Sequence, residues 1–281
     1  MKKKSNQGVL PAAPYVVWSS LFIVIPLLII IFFSFTIKTD TGYKFSLENY
    51  EKLMNPNYFN VFGRSLLLAF QSTIACLIIG YPVAYLIANM NSKKRNFLIM
   101  LFIVPMWMNF LLRTYAWLPL LGKNGFINTI LANFGIGPLK LLYNDFAVLL
   151  GMVYNFLPYM ILPIFSVLTK LDNSLVEAAQ DLGSNKFEVI KNVVIPLSKP
   201  GILSGITMVF VPCVSTFYIT QKLGGGQVVL IGDVIETQFQ SANNYNLGAA
   251  LSFVLMILIF ICLGVMNYFG ADENGDGGVI I

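Results

Sequence analysis

Six long apolar stretches, separated by short polar segments, dominate this sequence of 281 residues. A helix needs about 20 mainly apolar residues to cross the hydrocarbon core of a bilayer. With 57% hydrophobic and only 11% charged residues, the chain also carries too little charge to cover a soluble surface. The sequence therefore predicts an all-α membrane protein with six transmembrane helices in a lipid bilayer. These lie at about 15–37, 65–89, 97–121, 146–169, 200–221 and 247–269.

Basic residues in the connecting segments indicate which way the chain crosses the membrane. They occur at Lys2–Lys4, at Lys93–Arg95, and at Lys186, Lys191 and Lys199. With six spans these segments lie on one side, and an excess of Lys and Arg in short loops marks the cytoplasmic side. Both termini are then expected in the cytoplasm of a cell membrane protein. The same bias accounts for the positive net charge without a nucleic-acid partner.

The spans divide the chain into successive parts with different environments. The expected parts are a cytoplasmic N-terminus at 1–14, a peripheral first helix at 15–37, an extracytoplasmic loop at 38–64, the main transmembrane domain at 65–267 and a cytoplasmic tail at 268–281.

A polar segment at 172–199 follows the fourth span and has the pattern of a folded loop. Ser174 and Glu177 have the spacing of a capping box, in which two side chains accept free backbone N–H groups at the start of a helix. Gly183 lies where a helix ends in a residue of positive φ. Between them, four apolar residues share one helical face. They are Leu175, Ala178, Ala179 and Leu182.

A second short helix is predicted directly after Gly183. Asn185 and Glu188 repeat the capping spacing, and Pro196 is expected to end the helix. The apolar stripe of this helix comprises Phe187, Ile190 and Val194. Two short helices joined at a glycine give a compact surface that faces water. A membrane chain with such a loop is expected to dock another protein there.

Small residues begin the fifth span. Gly201, Ser204 and Gly205 have a spacing that lets two membrane helices approach closely. We therefore expect close packing of this span against a neighbour.

The third span carries an arginine, Arg113. It lies 18 residues beyond Arg95, which corresponds to about 27 Å along a continuous helix. This spacing predicts a position near the outer membrane surface, where a long side chain reaches water. Two roles remain open. One is structural, as an interfacial anchor or a partner of Asp145 or Glu236, and the other is gating.

No catalytic or metal-binding constellation is visible in the sequence. It contains no histidine, and its three cysteines, Cys76, Cys213 and Cys262, lie in apolar spans as small hydrophobic side chains. The G-x-x-x-x-G-K-[ST] loop of many nucleotide-binding proteins is also missing. The chain is therefore expected to bind, conduct or transport rather than catalyse. Any energy would come from a partner chain.

The polar loop resembles the EAA loop of type I ABC importer permeases. Glu177, Ala178 and Ala179 match the E-A-A positions, Gly183 matches the glycine, and 193–196 occupy the I-x-L-P positions with conservative replacements. The resemblance covers about 65–267 and implies the type I permease fold, with 172–199 as the coupling loop. It also implies that an ATPase dimer, which carries ATP and Mg, docks on this loop. The implied docking residues are Glu177, Ala178, Ala179, Asp181 and Gly183; for Glu177, capping of its own helix is the alternative role.

Two further stretches resemble one branch of this family, the spermidine/putrescine importer permeases. Residues 109–128 are similar to the third-span signature of that branch, and residues 215–239 are similar to the first of its two permeases. The resemblance implies a heterodimer with a second homologous permease and an extracytoplasmic polyamine-binding protein. It also implies alternating access, driven by ATP hydrolysis in the separate ATPase chains.

A polyamine is a flexible polycation, so aromatic faces and a few acids suit its pathway. The candidates for contact with the substrate are Trp107, Tyr154, Tyr159, Tyr218 and Glu236. Tyr154 and Tyr159 are equally well explained as ordinary anchors at a membrane surface. Gly224–Gly226 are expected to form a turn into a short interfacial or re-entrant helix. Its acids, Asp233 and Glu236, either attract cations or form a solvated face.

Three other functions compete with polyamine import. The first is a permease for another small solute of the same importer class. The second is an ion-coupled secondary transporter, which would be expected to carry acids or histidines within its spans. The third is a membrane scaffold or assembly factor without transport.

Overall fold

Long helices account for most of the chain in a computed structural model that describes residues 9–40 and 42–271. Within these described residues, five helices are long and apolar enough to cross a membrane, and there are six spans if one sharply bent pair of helices counts as one. The all-α membrane fold predicted from the apolar stretches is therefore confirmed. The chain divides into two compact units. One comprises Met1–Phe59 and Val234–Leu258, and the other comprises Asn60–Asp233 and Ile259–Ile281.

The helices, numbered in chain order, have the following bounds. They are α1 Val9–Ser19, α2 Ile25–Ser34, α3 Glu48–Leu53, α4 Pro56–Ala88, α5 Ser92–Trp107, α6 Phe110–Tyr115, α7 Trp117–Leu121, α8 Phe126–Asn133, α9 Asp145–Leu168, α10 Asn173–Asp181, α11 Lys186–Val189, α12 Ile195–Ser215, α13 Ile231–Gln240 and α14 Tyr245–Ala271. Wider π-helical turns occupy Ser20–Val24, Ile190–Val194 and Thr220–Gly224.

A small antiparallel hairpin follows the first span, and the sequence pattern had not predicted it. Its strands are β1, Thr36–Thr39, and β2, Gly42–Phe45, with Thr36 opposite Phe45. Two buried asparagines hold its start. Asn49 and Asn246 each donate a side-chain hydrogen bond to the carbonyl oxygen of Thr36, at 2.9 and 2.7 Å. The same two side chains also donate to the carbonyl oxygens of Ser34 at 3.3 Å and Phe33 at 3.2 Å, which belong to the last turn of α2 and lack a partner further along the helix.

The third span is not the continuous helix that the sequence pattern predicted. It is broken between Trp107 and Phe110, where α5 and the helical segment that follows meet at 97°. Met108 is extended, and the side chain of Asn109 accepts a hydrogen bond from the backbone N–H of Leu111 at 2.8 Å. Asn109 thus caps a new helix, α6. The estimate of 27 Å for Arg113 along one axis is wrong, because that axis ends at the break.

Pro196 does not end the helix that begins at Lys186, as the sequence pattern had predicted. The helix runs without interruption from Lys186 to Ser215, and the π-helical turn Ile190–Val194 lies just before the proline. There the N–H of Ile195 bonds to the carbonyl of Ile190, one residue further back than in an α-helix. A π-helical turn changes the local hydrogen-bond register, so the proline ring is accommodated. As a result, the polar loop continues directly into α12.

Helices α9 and α12 pack closely through small residues. A Cβ atom on Gly201 would lie 2.9 Å from the carbonyl oxygen of Pro163, and one on Gly205 would lie 2.7 Å from the sulfur of Met160. The close approach predicted for these two glycines is confirmed, whereas Ser204 is exposed. The polar loop therefore connects two helices that are held together along their length.

Candidate functional site

The polar loop between α9 and α12, hereafter the docking loop (172–199), is built from two capped short helices. Asp172 is the N-cap of α10, since its carboxylate accepts the backbone N–H of Ser174 at 2.9 Å. This hydrogen bond lowers the pKa of Asp172 below its usual value. The predicted Ser174–Glu177 capping box is wrong: α10 begins two residues earlier than that box requires, and the carboxylate of Asp172 already accepts a free N–H of its first turn.

Gly183 ends α10 in the predicted way. Its φ is +90°. The N–H of Gly183 donates to the carbonyl oxygen of Gln180 at 2.9 Å, and the N–H of Ser184 donates to the carbonyl oxygen of Ala179 at 3.1 Å. This pair of bonds is a Schellman motif, which requires a residue of positive φ. The predicted capping box of α11 is confirmed. Asn185 accepts from the N–H of Glu188 at 3.0 Å, and Glu188 accepts from that of Asn185 at 2.8 Å.

The apolar side chains of the docking loop are largely uncovered. Leu182 is 88% exposed and Phe187 is 73% exposed, although both belong to the predicted apolar stripes. Val189 and Val194 are buried and anchor the loop to the rest of the chain. A folded, capped loop that leaves a leucine and a phenylalanine in the open has the properties of a docking surface.

The five residues expected to dock a partner lie together on α10 and its end. Glu177, Ala178, Asp181 and Gly183 are exposed, and Ala179 is half-buried. Glu177 forms no hydrogen bond or ion pair with the residues that the structure describes, so it is not used as a cap. Its carboxylate is therefore available to a partner.

Arg113 lies at the start of the second half of the broken span and is buried, with 6% of its surface exposed. Its guanidinium carbon is 5.9 Å from the ring centre of Phe110, and its Nε has no hydrogen-bond acceptor among the residues that the structure describes. Asp145, one of its two predicted partners, instead pairs with Arg64 at 2.6 Å. The expected snorkelling position is therefore wrong, because the break in the span turns Arg113 inward.

The ring of Phe110, on which Arg113 lies, belongs to an aromatic cluster. This cluster is defined here as Phe110, Tyr115, Phe156, Tyr159 and Tyr218. Its rings follow one another with centroid distances of 6.3 Å for Tyr159 and Phe156, 6.4 Å for Phe156 and Phe110, 6.3 Å for Phe110 and Tyr218, and 6.0 Å for Tyr218 and Tyr115. These spacings are those of favourable aromatic pairs. The structure thus brings together two of the predicted pathway residues, Tyr159 and Tyr218, through α6, α9 and the segment after α12.

A second cation lies on this cluster. The ammonium of Lys222 is 5.3 Å from the ring centre of Tyr115 and 5.6 Å from that of Tyr218. Both distances are within the range of cation–π attraction. The sequence reasoning had not selected Lys222, Tyr115 or Phe110. The spacing of Tyr218 and Lys222 by four residues was a signal for their contact, but nothing local indicated that α6 would meet them.

The other predicted pathway residues are not part of the cluster. Tyr154 pairs with Trp117 at a centroid distance of 5.3 Å, and Trp107 is 76% exposed at the end of α5. Glu236 belongs to the other compact unit.

Asp233 is not on a solvated face, and its buried carboxylate has a structural role. One oxygen accepts from the hydroxyl of Thr220 at 2.7 Å, and the other accepts from the N–H of Leu230 at 2.9 Å. The turn predicted at Gly224–Gly226 is present, with positive φ at Gly225 and Gly226, and it precedes the short helix α13. Among residues 9–40 and 42–271, no three His, Cys, Asp or Glu side chains lie together as metal ligands would.

Comparison with known proteins places this geometry in a family. Residues 77–271 match the family described as binding-protein-dependent transport system inner membrane component. The chain is 38% identical over 261 residues to the spermidine/putrescine transport system permease protein PotB of Haemophilus influenzae, covering 91% of each chain. It is 39% identical over 251 residues to the protein of the same name in Escherichia coli, covering 88% of this chain and 91% of the relative.

Solved structures support the fold. A bacterial ABC transporter involved in the import of the acidic polysaccharide alginate has a chain that superposes with a TM-score of 0.79 at 14% identity, covering 93% of each chain. A second structure shows a bacterial alginate ABC transporter in complex with an alginate pentasaccharide-bound periplasmic protein, and its chain also has a TM-score of 0.79 at 14% identity, covering 95% of this chain and 94% of that one. The chain therefore belongs to the inner membrane components of binding-protein-dependent transport systems, as a multi-pass permease with the fold of a type I ABC importer.

Proposed function

We propose that this chain is the first of two permease subunits in an ATP-driven importer of polyamines, such as spermidine and putrescine. The observation that carries the proposal is identity of 38–39% to two spermidine/putrescine permeases over about nine-tenths of the chain. The fold alone does not select the substrate, because an importer of an acidic polysaccharide shares it.

The docking loop is the proposed contact with an ATPase dimer, which binds ATP and Mg and carries out hydrolysis. Leu182 and Phe187 offer an uncovered apolar surface, and Glu177 offers an exposed carboxylate without a partner among the described residues. This assignment makes the loop and both chain termini cytoplasmic, in agreement with the basic residues that flank the spans. The permease itself holds no cofactor and performs no chemistry.

The loop is built to transmit motion. Its second helix continues without interruption into α12, and α12 is locked to α9 at Gly201 and Gly205. A displacement of the docking loop by the ATPase would therefore move α9 and α12 as a pair. Such rigid-body rocking switches a central cavity between outward and inward access. The remaining partners in this proposal are a second homologous permease and an extracytoplasmic polyamine-binding protein.

Reconstitution tests the proposal directly. The chain is co-purified with its ATPase and the second permease, placed in vesicles, and supplied with binding protein and labelled spermidine or putrescine. We expect uptake that requires ATP on the side of the membrane where the docking loop lies. Unlabelled polyamine should compete with this uptake. Uptake without ATP would identify an ion-coupled transporter. ATP-dependent uptake of another solute, with none of polyamine, would identify a different importer of the same class. Assembly without uptake of any solute would indicate a scaffold.

A further inference from the structure

The side chain of Lys222 lies in a corner formed by two tyrosine rings. The rings of Tyr115 and Tyr218 have centroids 6.0 Å apart and planes inclined at 76°. The Lys222 ammonium is 5.3 Å from one centroid and 5.6 Å from the other. Two aromatic faces that meet around a cation attract it through the negative charge of their π surfaces. The corner therefore already binds a primary ammonium, which the chain itself supplies.

Two separate elements build this corner. Lys222 follows Tyr218 by four residues, so the two side chains share one side of the helical segment after α12. Tyr115 comes from α6, whose direction depends on the break in the third span. The corner is also open, since Tyr115 is 43% exposed and both Tyr218 and Lys222 are partly exposed. The ammonium can thus leave, and another cation can enter.

The occupant of the corner has the chemistry of the proposed substrate. A lysine side chain is four methylene groups ending in a primary ammonium, and a polyamine is a chain of methylene groups ending in the same group. From this match, and on the basis of the proposed polyamine import, we infer that Tyr115 and Tyr218 form a subsite for the terminal ammonium of the substrate. Lys222 occupies the subsite in its absence and is a tethered competitor.

The charges around the subsite keep substrate binding weak. Arg113 lies on Phe110, and the ring of Phe110 is 6.3 Å from that of Tyr218. A second fixed cation on the same cluster repels an incoming polycation. Passage along a pathway requires sites that bind strongly enough to admit the substrate and weakly enough to release it. A competitor on a short tether has an effective concentration in the millimolar range, which lowers the apparent affinity for the free ligand.

The test uses the complete reconstituted importer and measures the KM and maximal rate of labelled spermidine uptake. We expect Lys222→Met, which keeps the stem and removes the cation, to lower KM by roughly 3- to 10-fold because the competitor is gone. Lys222→Arg retains a cation in the corner and should lower KM clearly less than Lys222→Met does. Lys123→Met is the matched control, since Lys123 is exposed in the same unit and outside the corner.

Variants of the two tyrosines test the aromatic faces of the corner. Tyr218→Leu and Tyr115→Leu should raise KM, and Tyr218→Phe and Tyr115→Phe, which keep the aromatic face and lose only the hydroxyl, should raise it clearly less. Co-purification with the ATPase reports assembly for each variant. If Lys222→Met fails to assemble with the ATPase, the comparison of leucine with phenylalanine at Tyr115 and at Tyr218 tests the inference.

The outcomes separate this inference from the function on which it rests. Absence of polyamine uptake by the wild-type importer overturns the proposed function and the inference together. Uptake by the wild type with a KM that neither Lys222→Met nor the leucine variants change overturns the inference alone. A KM that falls equally in Lys123→Met also overturns it, because the effect would then be one of overall charge.

Discussion

The docking loop leaves its apolar side chains exposed, whereas the aromatic cluster is filled by side chains of the same chain. The loop turns Leu182 and Phe187 outward, with no side chain of the described residues burying either. The cluster turns Arg113 inward and fills its open corner with Lys222 of the same chain. In the functions proposed above, the loop is a surface for another protein, whereas the cluster is a site for small cations that the chain occupies with its own groups.

The largest expected effect is a loss of affinity for the ATPase when the docking loop is altered. We expect the double variant Leu182→Ser with Phe187→Ser to bind the ATPase roughly 100-fold more weakly, because burial of two such side chains contributes about 3 kcal/mol or more. Both are exposed in the chain alone, so its thermal stability should stay unchanged. Co-purification against ATPase concentration measures the affinity. Phe134→Ser, at a site 76% exposed outside the loop, is the control. An unchanged affinity would contradict the docking assignment.

A second prediction concerns the shape of the loop rather than its surface. Gly183 has a φ of +90° with no atom within 4 Å of the place where a Cβ would lie, so only backbone strain opposes a side chain. Gly183→Val should cost about 2 kcal/mol of that strain and reduce coupled uptake about tenfold, while membrane insertion stays intact. Uptake per molecule of ATP hydrolysed is the measurement.

The matched control for Gly183→Val is Gly135→Val. Gly135 also has a positive φ, +73°, and open space around it, but it lies outside the docking loop. The same strain there should leave coupling unchanged. Equal losses in both variants would show that strain alone, and not the loop, is responsible.

The two regions also differ in how far the sequence predicted them. The loop followed from short-range rules: the glycine of positive φ at Gly183 and the capping box of Asn185 and Glu188 need only neighbouring residues. Its two errors were also local, since Asp172 caps α10 in place of Ser174 and the π-helical turn Ile190–Val194 carries the helix past Pro196. Local rules suffice here because each cap satisfies backbone groups within one turn.

The cluster did not follow from such rules. Only Asn109 interrupts the apolar pattern of the third span across 107–110, so the pattern predicted a straight helix and placed Arg113 near the membrane surface. The break depends on Asn109 as a new cap, and the meeting of α6 with Lys222 depends on tertiary packing. Tyr218 and Tyr159 were selected by residue type alone, and nothing in the sequence connected them.

A third prediction concerns Asn109, the N-cap of α6, and tests whether the aromatic cluster can be altered without altering the docking loop. Asn109→Ala removes the acceptor of the Leu111 N–H at 2.8 Å and should cost about 1 kcal/mol, because helix α6 loses its N-cap. We expect a slightly lower melting temperature and a KM for uptake changed by a few-fold, with ATPase affinity unaffected. Asn109→Ser keeps a capping side chain and should restore both values. A changed ATPase affinity would show that the two regions are not separate.

The smallest expected effect concerns the acid dependence of the loop. The pKa of Asp172 is lowered because its carboxylate accepts the N–H of Ser174. A lowered pKa in the folded state means that the cap stabilises α10 at neutral pH. This contribution is lost as the pH falls below about 4, through the folded-state pKa. Amide exchange of α10 should therefore be steady between pH 7 and 5 and faster, after correction for intrinsic rates, near pH 3. Asp172→Asn caps without titrating, so its corrected exchange should not change with pH. If the asparagine variant keeps the acid response, then titration of the Asp172 carboxylate is not its source.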